Sequence, residues 1–223
     1  MNKKSLCAAA FLSAIFLTQS VNAASVTECG PNICYAYDDA QAAVALYGTP
    51  TLIGDSLRFL PQNFRAQSDD GAGLVTTSAS FYFDNVYSLG GEIIDDIVIR
   101  EFGDYEITNG DRVSDQLTLT ADNNLAGGTA SQGELFEATG GTTGLQRWEI
   151  LNTLNVNSQF QSNSLNLTVT NMLEAQTDAS GESAWIQKKL KIQAVTAVPL
   201  PAGVWLMISA LGALGGLARR NKA

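Results

Sequence analysis

Leu117-Thr118-Leu119-Thr120-Ala121 and Leu165-Asn166-Leu167-Thr168-Val169 decide the fold, because apolar and polar residues alternate strictly in both. Successive side chains of an extended chain point to opposite sides, so this two-residue period gives one buried face and one wet face. Working outward, the same reading covers Ser56 to Leu60, Leu74 to Phe83, Ile93 to Glu101, Tyr105 to Thr108, Gln146 to Val156 and Ser183 to Val195. Turn-rich pieces separate them, among them Ser68-Asp69-Asp70-Gly71, Ser88-Leu89-Gly90-Gly91 and Asp178-Ala179-Ser180-Gly181. Asn109-Gly110 predicts a tight hairpin, since both central residues of a type I′ turn need positive φ. One helix is predicted from Asp38 to about Leu46, with Asp38 or Asp39 capping an Ala-rich turn or two. About eight to ten short strands with little helix make the chain mainly β, an antiparallel β-sandwich of jelly-roll-like character.

The two ends are written differently. Lys3 and Lys4, the apolar run Leu6 to Leu17 and the small-residue box Val21-Asn22-Ala23 read as a cleavable signal peptide, residues 1–23, cut between Ala23 and Ala24. Cys7 lies at the start of that apolar run, the wrong place for lipid attachment. At the other end, residues 203–218 carry no charge and are followed at once by Arg219, Arg220 and Lys222. Counted from Val198, the uncharged run reaches 21 residues, close to the roughly 20 that a helix needs to cross the bilayer core. The basic cluster is a stop-transfer signal that holds its end in the cytoplasm. Residues 24–197 are then one exported domain on a single C-terminal membrane helix.

The order of parts in this tail, Val198-Pro199-Leu200-Pro201-Ala202, an apolar helix and the basic residues 219–223, resembles the PEP-CTERM sorting signal in its VPLPA variant. The resemblance implies an exosortase-like processing enzyme as partner, recognising residues 198–202 while the helix halts in the inner membrane, and a final location at the cell surface or outside the cell. Two prolines fix φ and disfavour a helix start, so the motif stays extended where the membrane segment begins. A second resemblance lies inside the domain: Ile97-Val98-Ile99-Arg100-Glu101-Phe102-Gly103-Asp104-Tyr105 and Gly54-Asp55-Ser56-Leu57-Arg58-Phe59 are similar to strand patterns of PEP-CTERM ectodomains, the first built around Glu-x-Gly-Asp-Tyr. It implies a β-sandwich and adds no chemistry.

Composition narrows the function. The exported domain holds eight Lys and Arg against 22 Asp and Glu, a formal charge near −14. Nucleic acid is excluded as a partner on that ground, because phosphate contact needs clustered cations. Cys29 and Cys34 flank Gly30-Pro31-Asn32, and an even pair in an oxidising compartment reads as a disulfide. The chain has no His, which removes Ser-His-Asp and Cys-His machinery and most catalytic zinc sites. No catalytic residue and no metal ligand is assigned.

Three weaker signals remain. Glu92, Asp95, Asp96, Glu101 and Glu149 are the carboxylates from which a glycosidase pair would come, but a solvated acidic face explains them more simply. Asp69-Asp70, Asp84-Asn85, Asp95-Asp96, Asp104, Asp111 and Asp122-Asn123-Asn124 bring oxygen donors into turns and strand ends; the expected cofactor set is none, with calcium the one ion their chemistry suits. Tyr82, Tyr87, Tyr105, Trp148 and Trp185 offer sugar-stacking surface, though at strand spacing such residues more often pack cores. Gly127 to Gly133 and Gly140 to Gly144 read as surface loop, not as a phosphate cradle. The function expected is an exported structural or adhesive protein of an exopolysaccharide-associated matrix. The alternative is a secreted carbohydrate-binding module, or a hydrolase using paired carboxylates.

Overall fold

The computed structural model describes residues 25–142 and 144–196, and within those the side chains of all but Lys191 and residues 193–196. The signal peptide with its Ala23–Ala24 junction, the motif Val198 to Ala202, the apolar segment 203–218 and Arg219, Arg220 and Lys222 lie outside the described residues.

Among the described residues twelve strands and one short helix follow in chain order: β1 Ser25–Cys29, β2 Ile33–Asp38, α1 Val44–Tyr47, β3 Thr51–Ile53, β4 Ser56–Phe59, β5 Arg65–Asp69, β6 Gly73–Ser88, β7 Ile94–Thr108, β8 Arg112–Asn123, β9 Thr129–Thr139, β10 Gln146–Asn155, β11 Ser164–Thr177 and β12 Ser183–Thr196. They form two antiparallel sheets. The first runs β1-β2-β6-β11-β8-β9, and the second β10-β7-β12-β4-β3, with β5 continuing the β4 side of β12. The mainly β, two-sheet expectation holds. Among the described residues no helix is long and apolar enough to cross a membrane.

The alternation seen in the sequence is the burial pattern. In β11, Leu165, Leu167, Val169, Leu173 and Ala175 are fully covered, and in β8 Leu117, Leu119 and Ala121 face the same way. From the second sheet come Ile97, Ile99 and Ile107 of β7 and Ile186, Leu190 and Ile192 of β12, so one core joins the two sheets. Tyr47, Phe59, Phe64, Phe81, Phe83, Tyr35 and Tyr37 close one flank of it by edge-on and tilted ring contacts at 4.9–6.0 Å, a favoured geometry for ring quadrupoles. The Cys29–Cys34 disulfide joins directly paired residues at the end of the β1–β2 hairpin.

Several sequence expectations are corrected. Ile93 to Glu101 and Tyr105 to Thr108 are one strand, β7, because Gly103 between them is tolerated in extended backbone. Asn109-Gly110 is not a hairpin turn: β7 and β8 belong to different sheets, so the turn carries the chain across the sandwich. Asn109 takes φ 53° while Gly110 stays outside the left-handed region, which a type I′ turn does not permit. The predicted helix shrinks to Val44–Tyr47, with no side-chain cap; Asp38 instead ends β2 and accepts from the Ala40 N–H at 2.8 Å. Ser131, Gln132 and Gly133, read as loop, lie in β9, an edge strand mostly exposed on both faces and so lacking the two-residue signature.

Candidate functional site

The Glu-x-Gly-Asp-Tyr segment of β7 contributes to both the buried ionic cluster and the groove outside it. Alternation sends Glu101, Gly103 and Tyr105 inward and Arg100, Phe102 and Asp104 outward. Tyr105 packs on Phe136 of β9, ring centroids 5.5 Å apart. Phe136 stacks on Trp148 of β10 at 5.5 Å and 20°. The Trp148 indole then reaches over Gly103 and donates from Nε1 to the Gln187 carbonyl of β12 at 3.1 Å. Only a residue without a side chain lets the indole cross here: a Cβ on Gly103 would collide with the Gln187 carbonyl oxygen and stand 2.8 Å from Trp148 Nε1.

Glu101 sits in the middle of the core. Its carboxylate lies 3.0 Å from Lys188 Nζ through Oε2, and both side chains are fully covered. Lys188 also meets Asp115 Oδ1 at 3.3 Å and stands 5.1 Å from the Phe64 ring centroid. Asn171 Nδ2 donates to Glu101 Oε1 at 2.7 Å, and Tyr47 donates its hydroxyl to Asn171 Oδ1 at 2.6 Å. One cation thus faces two carboxyl groups in a dry interior. Burial raises Glu101 well above the usual carboxylate range; Lys188 opposes this, and the neighbouring Asp115, by charge and hydrogen bonding, adds to it. A proton retained by Glu101 leaves one positive and one negative charge in the cluster. This corrects the reading of Glu101 as part of a solvated face. The cluster is enclosed and offers no access for a substrate.

The accessible feature is on the outside of the same strands. A groove of about 580 Å³ is lined by Arg100, Phe102, Gly103, Asp104, Arg147, Trp148, Glu149 and Lys189. A smaller one of about 240 Å³ adjoins it through Gly103, Asp104 and Lys189 and reaches Pro61 and Gln62. Strand register sets the outward rows: Leu151, Arg100 and, across position 191, Arg58; Glu149, Phe102 and Lys189; Arg147, Asp104, Gln187 and Arg65; Glu106, Trp185 and Gln67. Arg100 makes a two-point bridge to Glu149 at 2.6 and 2.9 Å and lies 5.8 Å from the Phe102 ring. Arg65 covers the Trp185 ring at 4.4 Å. The Arg100 bridge holds Glu149 below the usual carboxylate range.

The remaining sequence candidates are scattered. Tyr82 is exposed on the outside of the first sheet, Trp148 is buried and Tyr105 packs inward, so the five aromatics form no common platform. Phe102, central to the groove, was missed because a single aromatic between charges gives no sequence signal. Glu92 is occupied by Ser88 Oγ at 2.7 Å, and Asp95 by Asn157 at 2.9 Å. The turn aspartates also work locally: Asp69 accepts from Ser183, Asp70 from the Gly181 N–H and Asp122 from Thr129. Among the described residues no three His, Cys, Asp or Glu groups gather as a metal-holding set.

No known family's sequence profile matches the chain, and no curated protein sequence does. Among solved structures it is similar to a family 61 carbohydrate-binding module in complex with β-1,4-galactotriose, at 14% identity over 68% of this chain and 94% of that one, TM-score 0.23. It is also similar to a family 28 module described as specific for non-crystalline cellulose (11%, 65% and 84%, TM-score 0.27). A variant of a family 29 module follows (14%, 65% and 75%, TM-score 0.20). At such TM-scores these likenesses carry no argument about ligand.

Proposed function

We propose that the chain is an exported, non-catalytic β-sandwich that attaches to extracellular polysaccharide through the outer face of β10-β7-β12, in an adhesive or structural role. The observation that carries this reading is the groove around Phe102, where an exposed ring lies among Arg100, Arg147, Glu149, Asp104 and Lys189. An apolar ring for a sugar face, ringed by donors and acceptors for its hydroxyls, is the usual division of labour in saccharide recognition. Binding is favoured over hydrolysis because a glycosidase needs one carboxyl kept protonated, whereas Glu149 is pulled down by Arg100. The signal peptide and the VPLPA tail support export, passage through the inner membrane and processing by an exosortase-like enzyme. The strand order, in which the chain crosses repeatedly between sheets, supports a jelly-roll-like connectivity.

Affinity electrophoresis of the full chain through gels containing neutral and acidic polysaccharides tests the binding. Retardation that Phe102→Ala abolishes is the expected result, and no retardation by any glycan refutes it. Intact mass of the protein recovered from medium and membranes, with and without the processing enzyme, tests the tail. A form ending within residues 198–202 that disappears without the enzyme is expected; a full C-terminus in both strains refutes sorting.

A further inference from the structure

We infer that the polysaccharide recognised by this face is acidic, a chain bearing carboxylate or sulfate groups, an inference that rests on the glycan-binding reading above. The exported domain has only eight Lys and Arg, and they are not dispersed. Lys188 is buried, and Arg112 lies on the other sheet against Glu137 and Glu174. Arg58, Arg65, Arg100, Arg147 and Lys189 all project from the outer face of the second sheet, and Lys191 pairs in register with both Arg100 and Arg58.

A protein with 22 acidic residues has ample means to neutralise these cations, yet among the described residues only Arg100 is closely paired, with Glu149 at 2.6 Å. Among the described residues Arg58, Arg65 and Lys189 have no ion-pair partner, and Arg147, 92% exposed, only reaches Asp104 at 4.0 Å. Exposed ion pairs are worth little, so the gathering is not explained by stability. It does gather the exposed cations of a negative molecule on one face, beside Glu149, Asp104, Glu106 and Asp69, so an anionic chain meets the least repulsion there. The rows span four strands, about 14 Å at ordinary strand spacing, room for a few sugar units and not for one isolated ion.

Glu149 and Asp104 among the cations decide between polyanions. Both accept hydrogen bonds from sugar hydroxyls, while the phosphates along a nucleic acid backbone offer no donors to them and would meet repulsion. The opposite sheet supplies the contrast: it carries hydroxyl pairs, Ser80 to Thr170 at 2.8 Å and Thr120 to Ser131 at 3.2 Å, and its Arg112 is paired with Glu137 and Glu174.

The test measures binding of the full chain to polygalacturonate, to the same polymer fully methyl-esterified, and to duplex DNA. Polygalacturonate is expected to bind more than about 10-fold tighter than the ester or DNA. That preference should vanish as salt rises from about 0.01 to about 1 M, which cuts the screening length from about 30 to about 3 Å. Lys189→Gln, Arg147→Gln and Arg58→Gln should each weaken acid binding by about 2- to 5-fold, with Arg112→Gln unchanged. These side chains are exposed, so folding survives, and the salt dependence of the unmodified protein tests the inference without any variant. Equal binding of acid and ester overturns it while leaving the glycan-binding reading intact. Binding to neither polymer overturns both, and DNA bound as tightly as polygalacturonate identifies an unselective polyanion surface and overturns it too.

Discussion

Replacing Lys188 by Met removes a buried cation and keeps the chain length and apolar stem. Both ends of the Lys188–Glu101 pair are fully covered, so water cannot take the place of the ammonium group. Breaking a buried pair from one side costs about 3–5 kcal/mol, because the partner is left as an uncompensated charge. In a domain of this size each kcal/mol moves Tm by about 2–4 °C, so the melting point should fall by about 6–20 °C. The pH dependence separates the mechanism from simple loss of packing. Glu101 has a raised folded pKa; its protonated form therefore contributes stability that is fully present below the unfolded value near 4.3 and lost as pH rises through the folded value. Without the ammonium group nothing offsets the burial that raises Glu101, so the stability gap to the unmodified protein should widen as pH rises. Urea unfolding at several pH values measures this directly. A loss under about 1 kcal/mol, or a gap that does not change with pH, refutes the reasoning. Adding Glu101→Gln and Asp115→Asn to Lys188→Met should recover most of the loss, since a neutral core of the same shape leaves no charge unpaired.

Gly103→Ala should destabilise by at least about 1–3 kcal/mol in urea unfolding, because the new methyl group meets the Gln187 carbonyl and the Trp148 indole nitrogen; a neutral effect would mean that the indole does not need that gap. Tyr47→Phe removes the hydroxyl that meets Asn171 Oδ1 and the Ala79 and Val169 carbonyls at 2.6, 3.2 and 3.3 Å; a loss of about 1–3 kcal/mol is expected for acceptors left dry, and an unchanged midpoint contradicts it. Against the upward push of burial, hydrogen bonds from Asn32 and Ile33 hold Asp55 below the ordinary range. Its contribution is therefore present above about pH 3.9 and lost as pH falls through the folded value. Asp55→Ala should accordingly be less stable at neutral pH, with the gap closing in acid; a gap that persists there counts against the anchoring role.

What was legible in the sequence is what one-sided burial writes into it. β8, β11, β10 and β12 each have one covered face, and their two-residue period marks them to within a residue or two at most ends. β9 has no such period because Gln132, Glu134 and Leu135 are all exposed on the sheet edge. Partner choice was illegible: Asn109-Gly110 carries local turn chemistry, but whether the next strand returns to the same sheet is settled by the whole sandwich. The groove was hidden for a related reason. Arg58, Arg65, Arg100, Arg147 and Lys189 are separated by up to 131 positions in the chain and become neighbours only through the pairing of β4, β5, β7, β10 and β12. Glu101 carried a partial signal, a charged residue in an inward register between Ile99 and Ile107, and alternation alone would have placed it in the core.

Core and face are tied together along one strand. Because β7 alternates, the residues that build the interior cluster and those that build the groove are interleaved: Arg100 out, Glu101 in, Phe102 out, Gly103 in, Asp104 out, Tyr105 in. β12 repeats the pattern with Gln187 out, Lys188 in and Lys189 out, in register with Asp104, Gly103 and Phe102. A slip of β12 by one residue against β7 would bury Lys189 and expose Lys188, taking the cation away from Glu101. The buried ion pair therefore penalises every wrong register, since only the native one gives Lys188 two carboxyl partners. If the cluster serves this purpose, the neutral triple variant will regain stability yet bind acidic glycan less sharply than the unmodified protein. Equal binding by the two would show that hydrophobic alternation alone sets the register of the face.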